Sequence, residues 1–116
     1  MSAINLKDKL ATFTEHWTPK IVSQFNGHDV MVAKFMGEFN WHSHPDTDDF
    51  FLVLNGEVTI RLRDGDVHLK AGEMYVVPKG VEHCPMSTEE AEVMLIEPAG
   101  TPNTGDPETA VTKETI

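Results

Sequence analysis

The sequence predicts an all-β domain, an antiparallel barrel or sandwich. Three observations carry that reading: several short stretches of alternating apolar and polar residues, turns centred on glycine between them, and no strong helical periodicity inside the chain. At the start, Leu6, Leu10, Phe13 and Trp17 recur at steps of four, three and four, which is one apolar stripe of a short helix or arm; Pro19 ends it. Strands are expected at 21–25 and 29–36, joined through Asn26-Gly27, a strong hairpin signal. Residues 50–54 are apolar on both faces, as a strand inside a sandwich should be, and Asn55-Gly56 turns the chain. Val58, Ile60 and Leu62 then alternate with Thr59, Arg61 and Arg63, and Asp64-Gly65-Asp66 starts the return through Val67 and Leu69. Further strands are expected at 74–77 and 93–96. From Ala99 onward Gly100, Pro102, Gly105 and Pro107 interrupt any periodicity, so this segment is expected to lie on the barrel or stay mobile. The organisation read from these signals is an arm over 1–19, a β-domain over 20–98 and a tail over 99–116.

Length and composition bound the function. A chain of 116 residues with 40% hydrophobic content supports one core and not two. A formal charge of −10 repels phosphate backbones and anionic lipid, and no Lys/Arg cluster offsets it, so neither nucleic acid nor membrane is an expected partner. The first residues lack the apolar run of a secretory signal, and nothing downstream approaches the ~18 to 20 apolar residues of a membrane span. The single Cys84 cannot form an internal disulfide, which makes a reducing cytoplasm the expected location.

The chemistry is concentrated in Trp41-His42-Ser43-His44, in Asp49, and in Pro78-Lys79-Gly80-Val81-Glu82-His83. In extended backbone, side chains alternate between faces, so His42 and His44 share one face and form half of a metal site. Asp49 lies at odd spacing from His44, but the turn-like Pro45-Asp46-Thr47-Asp48 resets the phase and lets Asp49 begin a new strand pointing inward. Asp48 is the competing candidate. His83 follows Pro78 and Gly80, a rigid element and a permissive one, which together can aim a side chain into a cavity.

These residues carry a resemblance to the small single-domain cupins. Gly37, His42, His44, Asp49 and Gly56 are similar to the first cupin motif, and Gly72, Pro78, Gly80, His83 and Ser87 to the second; with their strands they cover roughly residues 20 to 98. The sequence departs from the pattern in a spacer one residue short after Gly37, in Asp49 where Glu is usual, and in Ser87 where Asn is usual. The resemblance implies a cupin-type antiparallel β-barrel or double-stranded β-helix (jelly roll) with a short N-terminal helical arm. It also implies one divalent metal held by His42, His44, Asp49 and His83, and pairing into a homodimer, for which the Leu6/Leu10/Phe13/Trp17 stripe offers a surface.

Other residues have plainer roles. His16, His28 and His68 read as surface histidines, and Cys84 as a small buried hydrophobe. Tyr75 is the one weak candidate for a catalytic acid, weighed against a packed core aromatic. Imidazole and carboxylate ligands suit Fe, Mn, Ni, Zn and Cu alike. The expected function is a small metal-dependent enzyme acting on a small organic acid, enol or sugar-like molecule. Dioxygenase, isomerase, lyase and decarboxylase chemistry all remain open, and the alternative is a non-catalytic binding or sensor module. Cupins of this sort often bear the label "mannose-6-phosphate isomerase-like". A phosphosugar, however, needs cationic donors inside the pocket, whereas the alternation puts Arg61 and Arg63 on the outer face.

Overall fold

The computed structural model describes residues 2–116, and β-strands dominate it. In chain order the elements are α1 (Leu6–Leu10), β1 (Lys20–Phe25), β2 (His28–Glu38), β3 (Asp49–Asn55), β4 (Glu57–Leu62), β5 (Gly65–Lys70), β6 (Met74–Val77), β7 (His83–Pro98) and β8 (Glu114–Thr115). The strands form one sheet in the order β5-β4-β7-β2-β1-β8, and β3 pairs with both β6 and β7. The sheet does not close into a complete barrel; it folds over a core that includes Met31, Phe35, Phe51, Val53, Ile60 and Val93. These side chains come from the inward positions of β2, β3, β4 and β7, so the period-two pattern is what fills the core.

The β1–β2 hairpin forms as its sequence signal requires. Asn26 and Gly27 both take positive φ, 51° and 75°, and the flanking Phe25 and His28 pair across the turn. The central strand differs from expectation. In place of a short strand at 93–96, β7 runs sixteen residues from His83 to Pro98. Its first half pairs with β4, Leu62 opposite His83, and its second half lies between β2 and β3, with Leu95 opposite Met31 and Phe51. Pro85 and the Glu89-Glu90 pair obscure this strand in the sequence, because partners on β4 and β2 supply what local propensity does not.

The N-terminal stripe also departs from a single helix. Asn5 caps α1 by accepting the Asp8 N–H at 3.0 Å, but the helix ends at Leu10 in a turn where Thr12 donates both its N–H and its hydroxyl to the Lys9 carbonyl, and no helix continues through Phe13 and Trp17. Leu10 and Phe13 bury against Val22 and Val32, and Trp17 packs on the main core. Lys34 donates to the Phe13 carbonyl at 2.7 Å and lies over its ring, tying the arm down. Leu10 and Phe13 are thus covered by their own chain, while Leu6 stays partly exposed beside Ile4. The tail lies on the barrel: β8 runs parallel to β1, and Ile116 donates its N–H to the Ile21 carbonyl. No helix among the described residues is long and apolar enough to cross a membrane.

Candidate metal centre

Three separate elements deliver the four side chains. His42 and His44 lie on the extended link between β2 and β3, Asp49 opens β3, and His83 opens β7. The link is not itself a ladder strand; it is pinned by one antiparallel bridge in which His42 and His83 exchange both backbone hydrogen bonds, at 3.0 and 2.9 Å. Directly opposed residues in such a pair present their side chains on the same face, so the bridge brings together two histidines forty-one positions apart. Gly80 N–H to the His44 carbonyl, 2.8 Å, fixes the other end of the link. The bends at residues 45–47 reset the phase so that Asp49 points inward opposite Val77. One ligand atom from each of His42, His44, Asp49 and His83 lies within 4.8 Å of all the others. Asp48 turns away, its Oδ1 accepting the Lys79 N–H at 2.9 Å on the surface.

Whether these groups fit a cation can be tested on their hydrogen bonds. His42 Nδ1 lies 3.0 Å from the Asn40 carbonyl and His83 Nδ1 2.9 Å from that of Val81. A carbonyl only accepts, so each Nδ1 carries its proton and each Nε2 of a neutral ring presents a lone pair to the interior. His83 Nε2 nevertheless lies 2.9 Å from Asp49 Oδ2, two acceptors at hydrogen-bond distance, which requires a proton or a cation between them. His44 Nε2 lies 3.2 Å from the same oxygen at an angle that makes no hydrogen bond, and this buried nitrogen has no partner among the described residues. An orphaned imidazole nitrogen facing a carboxylate and two further imidazoles is the donor set a divalent ion takes.

The electrostatics agree. Burial lowers the His42 pKa to about 4, keeping that ring neutral at pH 7. Burial also opposes charge on His44, but the Asp49 carboxylate outweighs it and the pKa rises. For Asp49 burial acts upward and is overcome by His44 and His83, so its carboxyl is held well below the usual range. A fifth group, Glu97, was missed by sequence reasoning. It is 4% exposed on the inward face of β7, and burial together with the Asp49 charge pushes its pKa up to about 7. Lys113 from the tail lies 3.2 Å from Glu97 Oε2. The signal for Glu97 was present: Val93, Leu95 and Glu97 alternate, but the expected strand stopped at 96.

Next to the centre is a cavity of about 30 Å³. Trp17, Phe35, Phe39 and Phe51 form its apolar wall, while His42, Asp49, Glu97 and Asn103 supply its polar groups. Trp17 stacks on Phe35 at 4.2 Å and on Phe39 at 4.9 Å, and donates its Nε1–H to the Met36 carbonyl. Tyr75 sits on β6 opposite Phe51, packs against the core and is not among the residues lining this cavity. Arg61 and Arg63 lie on the outer face, paired with Glu38 and Glu82 and stacked over Trp41. His16 and His68 are on the surface, bonded to Glu90 and Thr59, and His28, half-buried, meets the Asn26 carbonyl. Cys84 is fully buried, and burial, with Glu38 nearby, raises its pKa and keeps it a thiol.

An antiparallel sheet folded over a cluster of three imidazoles and one carboxylate defines a cupin, and residues 30–97 match the family model described as Cupin domain. The match spans more than half of the chain, which therefore belongs to the cupin family. The chain is similar to the solved structure of a cupin-2 domain containing protein from Shewanella frigidimarina, with 48% identity, a TM-score of 0.81, and coverage of 82% of this chain and 93% of that one. It is 40% identical over 82 residues to the uncharacterized protein YdbB of Bacillus subtilis, covering 70% of this chain and 66% of that one. It is 27% identical over 105 residues to a 3-hydroxyanthranilate 3,4-dioxygenase of a Jannaschia species, covering 83% of this chain and 58% of that enzyme. The chain thus spans between half and two thirds of the length of these curated relatives.

Proposed function

We propose that this cupin is a divalent-metal-dependent enzyme acting on a small oxygen-bearing organic molecule, an enol or aromatic acid, with His42, His44, Asp49 and His83 as the metal ligands. The observation that carries the reading is the orphaned, buried His44 Nε2 aimed at Asp49, within reach of the His42 and His83 rings. A divalent cation bound there would supply Lewis acidity and open positions for the ligand's oxygens. The protein's own groups do the rest. The Asn40 and Val81 carbonyls hold the His42 and His83 rings in the tautomer that faces inward. The Trp17, Phe35, Phe39 and Phe51 rings exclude water and favour a flat apolar ligand body.

Similarity to a 3-hydroxyanthranilate 3,4-dioxygenase supports an oxygenase-type reaction on an aromatic acid. A phosphorylated sugar is disfavoured, because Arg61 and Arg63 face outward and the nearby Lys113 is engaged by Glu97 and by the Thr101 carbonyl. The test is metal analysis of protein purified without an affinity tag, followed by oxygen-electrode and product assays with catechols, aminophenols and β-diketones. Stoichiometric metal with turnover supports the enzyme. Metal with ligand-induced stabilisation but no turnover across the panel would assign a binding or sensor module instead.

Two further readings belong to the proposal. The buried, unpaired Cys84 supports a reducing, cytoplasmic location, which fractionation of the source cells would check. Pairing into a homodimer through the arm is tested by light scattering: a mass near 12.9 kDa removes the dimer, and an unchanged dimer in a chain starting at Lys20 removes the arm from it.

A further inference from the structure

The segment after β7 lies outside the residues that match the cupin family, yet it reaches the centre at three points. Gly105, φ +78°, seats its backbone directly on the Ser43 carbonyl, between the two histidines of the link. A Cβ built there would lie 2.0 Å from that oxygen, so no side chain fits while the tail is in place. Asn103 lines the small cavity together with His42, Asp49 and Glu97. Lys113 reaches back to the buried Glu97 carboxylate and to the Thr101 carbonyl, closing the tail on itself.

Two spaces beside the centre are lined in part by the tail: the cavity of about 30 Å³, room for little more than a water, and a groove of about 510 Å³ between His44, Thr47 and the residues from Pro98 to Pro107. The groove falls within the ~300–1,000 Å³ of small-molecule sites. Asn103 has a fixed orientation, because its Oδ1 accepts the Val111 N–H at 3.1 Å. Its Nδ2 group donates to no partner among the described residues, so two N–H donors remain for a ligand.

We propose that the tail, residues 99–116, completes the ligand site: the body of the organic ligand occupies the groove between the tail and the His44–Thr47 link, and the Asn103 side-chain amide is a specificity-determining contact that donates to the ligand oxygen directed into the small cavity. The inference rests on the metal-centre reading above and names a ligand contact outside residues 30–97, the part of the chain that matches the family model. The amide selects an acceptor oxygen of a phenolate, enolate or carboxylate type. The neighbouring Asp49 and Glu97 carboxylates select against a ligand that presents several anionic groups at that end.

The experiment uses the full chain loaded with metal and 4-nitrocatechol, a flat chelating diol whose absorbance reports binding. Asn103→Asp keeps the oxygen that receives the Val111 N–H and replaces the donor with an acceptor, so the tail stays seated while the contact is lost. Asn103→Ala removes the group altogether, and Gly105→Ala lifts the tail off Ser43. All three are expected to keep wild-type metal stoichiometry. Probe affinity should fall about three- to tenfold in Asn103→Ala, the worth of one hydrogen bond, and further in Asn103→Asp, where two oxygens repel. Gly105→Ala should weaken the probe as well. Unchanged probe affinity in the two Asn103 variants, or a metal-loaded wild type that does not bind the probe, overturns this proposal alone. A wild type that takes no metal overturns it together with the metal-centre reading.

Discussion

His44→Ala is expected to abolish stoichiometric metal while leaving a folded protein. The ring sits on the β2–β3 link, outside both hydrophobic clusters, and its Nε2 makes no hydrogen bond that holds the fold together. Removing it leaves a small void and takes one charge partner from the buried Asp49 carboxylate, which keeps His83 at 2.9 Å; both effects destabilise, and a loss of about 1–3 kcal/mol is expected. Affinity for metal responds quite differently. Losing even a group that merely orients a ligand costs roughly 10–100-fold, so losing one of four ligands should cost at least about 100-fold. Competition titration against a chromophoric chelator measures this. Acidity supplies a second readout. Because the Asp49 carboxylate raises the His44 pKa against the opposing effect of burial, the ring without metal holds its proton to higher pH than a free imidazole, and metal must displace that proton. Below that raised pKa, wild-type affinity should therefore climb up to tenfold per pH unit for this proton, and the climb should flatten above it. In His44→Ala that contribution to the slope disappears. A variant that retains the metal at wild-type affinity would remove His44 from the centre.

Much of this was legible in the sequence, and the physical reason divides what was from what was not. Signals that act within a few residues came through. Asn26-Gly27 specified its hairpin, and the bends after His44 brought Asp49 to the inner face in spite of its odd spacing. Alternation in β4 put Ile60 in the core and Arg61 outside. What depended on distant partners was hidden. The His42–His83 bridge that assembles the cluster joins residues on unrelated segments, and no local pattern announces it. β7 reads as broken at Pro85 and Glu89, because its continuity comes from β4 and β2 on its flanks. Leu6, Leu10, Phe13 and Trp17 are spaced as one helical stripe, yet only the first turn is helical; the last two are placed by Val32, Lys34 and Phe35 of β2. Asn103 and Gly105 lie in a segment without periodicity, where a site residue and a surface residue look alike.

Trp17→Ala should have the opposite profile from His44→Ala: a large loss of stability with the metal kept. The indole is packed between the Phe35 and Phe39 rings and anchored through Nε1–H to the Met36 carbonyl, so it clamps the arm to the end of β2 where the histidine link departs. Truncating a buried Trp costs ~3–5 kcal/mol; this one is half-buried, and a loss of about 3 kcal/mol is expected. For a domain of this size that corresponds to a fall in Tm of roughly 10 °C or more, read by calorimetry. Two companion substitutions separate the contributions. Trp17→Phe retains the stack and gives up the hydrogen bond to Met36, so it should lose about 1 kcal/mol. Trp17→Gly removes the same ring as alanine but relieves the backbone, since Trp17 sits at φ 57°, a conformation that costs an L-residue roughly 1–2 kcal/mol. Glycine should therefore be no worse than alanine here, the reverse of the usual order, despite the extra entropy it brings to the unfolded chain. None of the four clustered groups rests on the indole directly, so metal stoichiometry should survive in all three variants. Loss of metal in Trp17→Ala with the fold intact would mean that the aromatic wall positions the ligands themselves, rather than shielding a centre that the His42–His83 bridge has already assembled.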